Sequence, residues 1–331
     1  MSAVPDSVKL EAADCPLCGP APSAPVLTGH DLMHDLPGDY PIVACTTCGL
    51  LRTNPRPTPD TVGFYYPADY GPYLGTQVTA SSGGTPSGLK AGLVALGKWL
   101  FNSRAQAIPP MPAGRLLEIG CASGSYLHAM AGQGWQVQGI EYSPEAAETA
   151  RKLGHHVETG AVETIDKAPG QYDLIAGWMV LEHLHQPLAV LGKLRLWVKP
   201  GGKLVVSVPN AGGFQRRLFG ANWHDLHLPN HLYHYDPKSI RRLMAAAGWR
   251  VTAIHHHRTL ANAVASAGYA LRDRSSQQGT GRNMGTGRIA QALIDFPEKG
   301  GRIGALAVFP FAWIAALLGQ TGRMTVWAEP A

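Results

Sequence analysis

From Arg115 to His256 short apolar runs alternate with amphipathic stretches, and nothing else in the 331-residue chain limits the fold so tightly. The pattern predicts strands at Arg115–Gly120, Trp135–Glu141, His155–Glu158, Tyr172–Trp178, Lys203–Val208 and Arg250–His256. Between them it predicts helices at Ser125–Gly132, from Ser143-Pro144-Glu145 onward, at Pro187–Val198 and at Pro237–Ala247. Ser143 is suited to the N-cap and Pro144 to the first helical position, while Gly248 ends the last helix. Lys199-Pro200-Gly201-Gly202 reads as a turn, and Met324–Ala328 as one last strand. Such alternation implies an α/β architecture with a doubly wound, mainly parallel sheet. Hydrophobic residues make up 45%, which excludes wholesale disorder. The net charge of +5 comes with no basic run, so nucleic acid is not an expected partner.

Leu116-Leu117-Glu118-Ile119-Gly120-Cys121-Ala122-Ser123-Gly124 is a strand entering a small-residue loop and then a helix. Small residues let a ligand approach the backbone, and the helix start offers N–H groups. Glu141 follows at the end of the next strand, where a carboxylate can accept both hydroxyl protons of a ribose. The G-x-G-x-x-G fingerprint of dinucleotide binding is incomplete, because Tyr126 and Leu127 follow Ser125. Glu118 would repel a pyrophosphate and hold an ammonium group. S-adenosylmethionine has an ammonium, a ribose and no phosphate.

The segment E-x-G-x-A-x-G (Glu118, Gly120, Ala122, Gly124) is similar to the first motif of the class I S-adenosylmethionine-dependent methyltransferases. Gly139-Ile140-Glu141-Tyr142-Ser143 resembles their second motif. Gly160-Ala161-Val162-Glu163 sits where the family's loop touches adenine, and Trp178–Leu184 resembles the segment facing the transferring methyl. The resemblance implies a Rossmann-like sheet with a last antiparallel strand. It implies a cofactor site at Glu118, Gly120, Ala122, Gly124, Glu141, Tyr142, Ala161, Val162 and Trp178. Ala122 stands where glycine is common, and its methyl group is expected to keep φ negative.

Two C-x2-C pairs, Cys15/Cys18 and Cys45/Cys48, occupy the first fifty residues, each followed by a glycine. Two such knuckles can place four thiolates around one structural Zn2+. Reduced structural cysteines or a redox pair are the other readings of the same residues. Many bacterial methyltransferases that occur with polysaccharide- and sugar-modifying enzymes look similar here: CPxCG, CxxCGL, then N-P-R-P, in this chain Asn54–Pro57. That resemblance implies a small-molecule or glycan-type acceptor.

His183 follows Glu182 directly after the fourth strand, and His231 and His234 lie in a histidine-rich segment after the fifth. Relatives carry a similar P-x-H-L-Y-H-[FY] segment. In-line methyl transfer to a hydroxyl needs the acceptor aligned and its proton removed, a task suited to histidine. His183, His231 and His234 are therefore the candidate bases; His231 and His234 also suit packing roles. Some quinone-type O-methyltransferases hold a divalent ion with E-x-x-E-H. Met179 occupies the first acid's place here, so no catalytic metal is expected.

The expected organisation is a zinc-binding module over 1–75, a linker with an amphipathic helix (Leu89–Ser103) over 76–113, and a catalytic domain over 114–331 with an insertion at 258–322. Ile303–Leu318 in that insertion is apolar all round, contains Pro310 and is flanked by Lys299, Arg302 and Arg323. It suits a lid or dimer helix, or a peripheral contact at the inner membrane face. No apolar signal segment opens the chain, so a cytoplasmic location is expected. An NAD-dependent sugar oxidoreductase and a non-catalytic zinc-ribbon protein with a degenerate Rossmann domain are the rival functions.

Overall fold

The computed structural model describes residues 3–67, 111–277, 284–299 and 301–331. The expected amphipathic helix Leu89–Ser103 lies outside the described residues. The described chain forms a seven-stranded sheet from β1 (Arg115–Ile119), β2 (Gln136–Glu141), β3 (His156–Thr159), β4 (Tyr172–Trp178), β5 (Val198–Pro209), β6 (Trp249–His256) and β7 (Arg323–Pro330). Their order is β6-β7-β5-β4-β1-β2-β3. The pairs β1–β2, β1–β4, β2–β3 and β4–β5 are parallel, and the terminal β7 is antiparallel. The expected α/β sheet is therefore present. Strand order reverses between β1 and β4, which opens a crevice at their carboxyl ends.

The helices between these strands form where the sequence places their signals. Ser143 Oγ accepts from Ala146 N–H at 3.2 Å, and Pro144 opens the helix Pro144–Lys152. Leu116, Leu127, Met130, Ala147, Ala150, Leu174 and Val205 are buried together between helices and sheet. Close packing explains one glycine in β2: a Cβ on Gly139 would lie 2.5 Å from Cys121 Sγ. The expected turn at Lys199–Gly202 lies inside a longer strand. It continues β5, with a register shift between Val198 and Lys203, and Gly201 takes a φ of +78° to allow it.

The chain divides into two compact units. One comprises Pro67–Val208, Arg241–Ile254 and Thr325–Ala331, and holds most of the large sheet. The other comprises Met1–Tyr66, Pro209–Ile240 and His255–Met324. In it, Ser23–His30, Asp39–Cys45, Leu51–Thr53 and Tyr233–His234 form an antiparallel four-stranded sheet. Tyr40, Ile42, Tyr65, Trp223, Leu226 and Leu228 share a core in this unit. Its helices are Phe214–Phe219, Ala261–Gln277, Met284–Ile294, Phe296–Lys299 and Gly301–Leu317. A buried Asp225 ties its parts together, accepting from Asn262 Nδ2 at 2.6 Å and from Arg323 Nε at 3.0 Å. Burial raises that carboxyl, but Arg323 and His224 outweigh it and hold it at about 2.

Candidate functional site

Two buried carboxylates stand at the carboxyl ends of β1 and β2. Glu118 and Glu141 are 3% and 4% exposed, too little for water to compensate their charge. Burial raises Glu118 well above the usual carboxyl range; the charge of Glu141 adds to this, and the Leu127 N–H opposes it. Glu118 Oε2 has no hydrogen-bond partner, and neither has the buried Trp178 Nε1 at the end of β4. Buried atoms left so are costly unless a ligand completes them. An unpaired acceptor that favours a cationic neighbour and an unpaired donor fit an aminoacyl group with its ammonium.

Glu141 has a second task beside any ribose contact. Its Oε2 accepts from Ala122 N–H at 2.8 Å and its Oε1 from Ser143 N–H at 2.9 Å. Burial raises its pKa, and these N–H groups pull it back. Ala122 takes a φ of +46°, contrary to the expected negative value. The Glu141 hydrogen bond offsets the cost of placing Cβ in the left-handed region, about 1–2 kcal/mol. Gly120 and Gly124 also have positive φ, so the loop curls around its own N–H groups. A Cβ on Gly120 would meet Val180 Cγ2 at 2.5 Å.

The remaining expected cofactor residues surround this loop. Gly160 N–H donates to Glu141 O at 2.8 Å, which joins β2 to the segment carrying Ala161 and Val162. Val162 is buried, whereas Tyr142 is 54% exposed and presents a ring beside Glu141. Trp178 packs edge-on against Tyr126 at 5.0 Å. His183 lies just beyond β4, half-buried, with its N–H on Val180 O at 2.9 Å. Glu182 beside it is fully buried.

His231 and His234 belong to the other unit. His231 Nδ1 lies 2.9 Å from Asp225 O, so that nitrogen carries the proton. His234 Nε2 lies 3.3 Å from Thr53 Oγ1. Burial and the Arg216 charge lower His234 to about 3, so its ring is neutral at neutral pH. It sits in the short strand Tyr233–His234 against Leu51–Thr53, the surroundings of a packing residue.

In the same unit the ligand atoms of Cys15, Cys18, Cys45 and Cys48 all lie within 4.8 Å of one another. Cys15 Sγ and Cys48 Sγ are 3.5 Å apart. A tetrahedral Zn2+ with bonds of about 2.3 Å sets sulfurs about 3.8 Å apart, so the donors fit one ion. Each knuckle closes through a glycine: Gly19 N–H to Cys15 O and Gly49 N–H to Cys45 O, both 2.8 Å. Burial raises Cys45, but the N–H groups of Cys48 and Thr47 and the adjacent sulfurs outweigh it and bring it to about 6.

Arg52 is a residue that sequence reading missed. It is 3% exposed, donates from Nε to Ala13 O at 3.1 Å and from Nη2 to Ser23 Oγ at 2.8 Å, and thereby brackets the first knuckle. Among the described residues no carboxylate pairs with it. Its strand LRT begins right after the second knuckle's CGL, which was the available signal.

Residues 95–254 match the family model of a methyltransferase domain. The ubiquinone biosynthesis O-methyltransferase of Xanthomonas campestris pv. campestris is 31% identical over 43% of this chain and 63% of its own length. The protein of that name from Burkholderia vietnamiensis is 34% identical over 43% of this chain and 64% of its own. This chain thus spans less than two thirds of the curated relatives it matches. Among solved structures, the S-adenosylmethionine dependent methyltransferase from Mesorhizobium loti covers 67% of this chain and 94% of that chain, with 14% identity and a TM-score of 0.43. The matched stretch, 95–254, contains the glycine loop, both buried carboxylates, His183, His231 and His234.

Proposed function

We propose that the protein is a class I S-adenosylmethionine-dependent methyltransferase that methylates a hydroxyl oxygen of a small-molecule or glycan-type acceptor. The observation that carries this reading is the incomplete buried polar set at the switch point: Glu118 Oε2 and Trp178 Nε1 without partners beside a left-handed glycine loop. The cofactor supplies an electrophilic methyl on a sulfonium. Glu118 holds the ammonium, and Glu141, still bonded to the loop N–H groups, accepts from the ribose hydroxyls with its remaining lone pairs. Ala161, Val162 and Tyr142 flank the adenine. Trp178 excludes water from the transfer path, since a dry site strengthens these contacts. His183 takes the acceptor proton as oxygen attacks. His231 and His234 are the alternative bases for that one proton. The relatives named for O-methylation support oxygen as the acceptor atom.

The domain organisation belongs to the same reading: a structural Zn2+ on Cys15, Cys18, Cys45 and Cys48 fixes the N-terminal knuckles, and the large sheet holds the cofactor. A cytoplasmic location fits the reduced thiols that such a zinc site needs. Titration calorimetry with S-adenosylhomocysteine tests the core of the proposal. One bound molecule per chain is expected; binding of NAD in its place would overturn it.

A further inference from the structure

The helix Gly301–Leu317 is packed the wrong way round for a water-facing helix. Among its described side chains Ala312 is the one buried, whereas Phe311, Ile314, Leu317 and Leu318 are 69%, 56%, 66% and 69% exposed. At 100° per residue these four share one stripe about a third of the circumference wide. Leu218, in the helix Phe214–Phe219, is likewise 67% exposed. The two elements are joined at this end: Phe214 N–H donates to Gln320 O, and Arg217 Nη2 to Gln320 Oε1, both at 3.2 Å. A continuous apolar surface of this kind marks an interaction site.

The charges around it indicate the partner. Residues 301–318 and 212–220 contain no acid, and both contain arginine. Arg217 is exposed next to Leu218, and Arg258 lies over Trp313, 5.5 Å from the ring centroid, on the flank of the stripe. Asp295 and Glu298 precede the helix in the sequence, and Asp295 is paired with Lys299. We propose that this face seats on an anionic lipid surface, with Phe311, Ile314, Leu317, Leu318 and Leu218 in the acyl boundary and Arg217 and Arg258 at the headgroups. A second copy is a poorer occupant, because two-fold pairing of this patch sets its arginines against each other. The contact is peripheral: among the described residues no helix is long and apolar enough to cross a membrane. Shallow insertion of an apolar face with a basic rim is the usual geometry of such contacts. The proposal stands on this surface alone and does not depend on the reading of the cofactor site.

Sedimentation with sucrose-loaded vesicles tests it, using phosphatidylglycerol mixed with phosphatidylcholine and phosphatidylcholine alone. The full chain should bind the anionic vesicles, and salt should weaken binding. Phe311→Ser with Ile314→Ser should reduce the partition coefficient about tenfold or more, and Arg217→Gln about fivefold. The circular dichroism spectrum and thermal midpoint should stay unchanged in these variants, a check that they are folded. Lack of binding by the full chain, or equal binding by the variants, would overturn the proposal. So would a lipid-free dimer in sedimentation equilibrium that Phe311→Ser dissociates, which would assign the face to a second copy.

Discussion

Replacing Glu141 by alanine should destabilise the protein before any cofactor is added. In the structure this carboxylate accepts from Ala122 N–H at 2.8 Å and Ser143 N–H at 2.9 Å, in a site only 4% exposed. Hydrogen bonds to a charged group contribute about 1.5–3 kcal/mol each, so two of them amount to about 3–6 kcal/mol. Removing the carboxylate also removes the cost of burying it, which leaves a net loss of about 2–4 kcal/mol. Ala122 would lose the contact that offsets its left-handed backbone. Adding Ala122→Gly to Glu141→Ala should therefore recover up to about 1 kcal/mol, because glycine holds that φ without help. Equilibrium urea unfolding in the absence of cofactor measures the loss, and hydrogen exchange at Ala122 and Ser143 locates it. If Glu141→Ala unfolds within about 0.5 kcal/mol of the natural protein, the clamp has no energetic role and the argument fails.

Four further outcomes are expected. Burial favours the neutral form of Glu118, so its contribution to stability is present below the ordinary carboxyl range and declines as pH rises. A cofactor ammonium favours the carboxylate, so S-adenosylhomocysteine binding should release a proton and tighten up to about tenfold per pH unit; Glu118→Gln should flatten calorimetric affinity against pH. His234 behaves in the opposite sense: held neutral, it contributes stability above about pH 6.5 that is lost as pH falls toward about 3, and His234→Phe should lessen acid unfolding followed by circular dichroism. Metal analysis should return about one zinc per chain, and Arg52→Leu should speed its release to a chromogenic chelator about tenfold while Arg52→Lys restores part of the retention. Gly120→Ala, with its Cβ 2.5 Å from Val180 Cγ2 and a φ of +62°, should cost about 2–4 kcal/mol in urea unfolding.

The large sheet was readable because its signals are local. Ser143-Pro144 marks a helix start by capping chemistry, and Leu116–Gly124 marks a strand, loop and helix by residue size. The loop's inner bonding was not readable. Whether Ala122 keeps a negative φ depends on a carboxylate nineteen positions later in the chain, and that acid's loop contact appears only in three dimensions. Lys199–Gly202 carried a turn composition, and it forms a break in the register with β4 inside the longer strand Val198–Pro209. The short strand Tyr233–His234 has no two-residue signal of its own; its partner is Leu51–Thr53. Asp225 and Arg323 are likewise joined across 98 positions. The cysteine knuckles were legible by spacing, whereas Arg52 was not, because its backbone acceptor Ala13 and its side-chain acceptor Ser23 lie well before it in the chain.

The pairing of Tyr233–His234 with Leu51–Thr53 also bears on how the chain is made. Thr53 Oγ1 donates to His231 O at 2.7 Å, across 178 positions. At about 5–20 residues per second, a ribosome adds that length in roughly ten to forty seconds. For that interval Leu51–Thr53 is an open strand edge with apolar neighbours, and such edges recruit other chains. The knuckles and the Arg52 contacts that bracket them lie within the first fifty-two residues and can close early. Nascent chains should therefore pass through a metal-bound, edge-exposed stage, at which zinc supply and chaperone access govern the yield of finished protein.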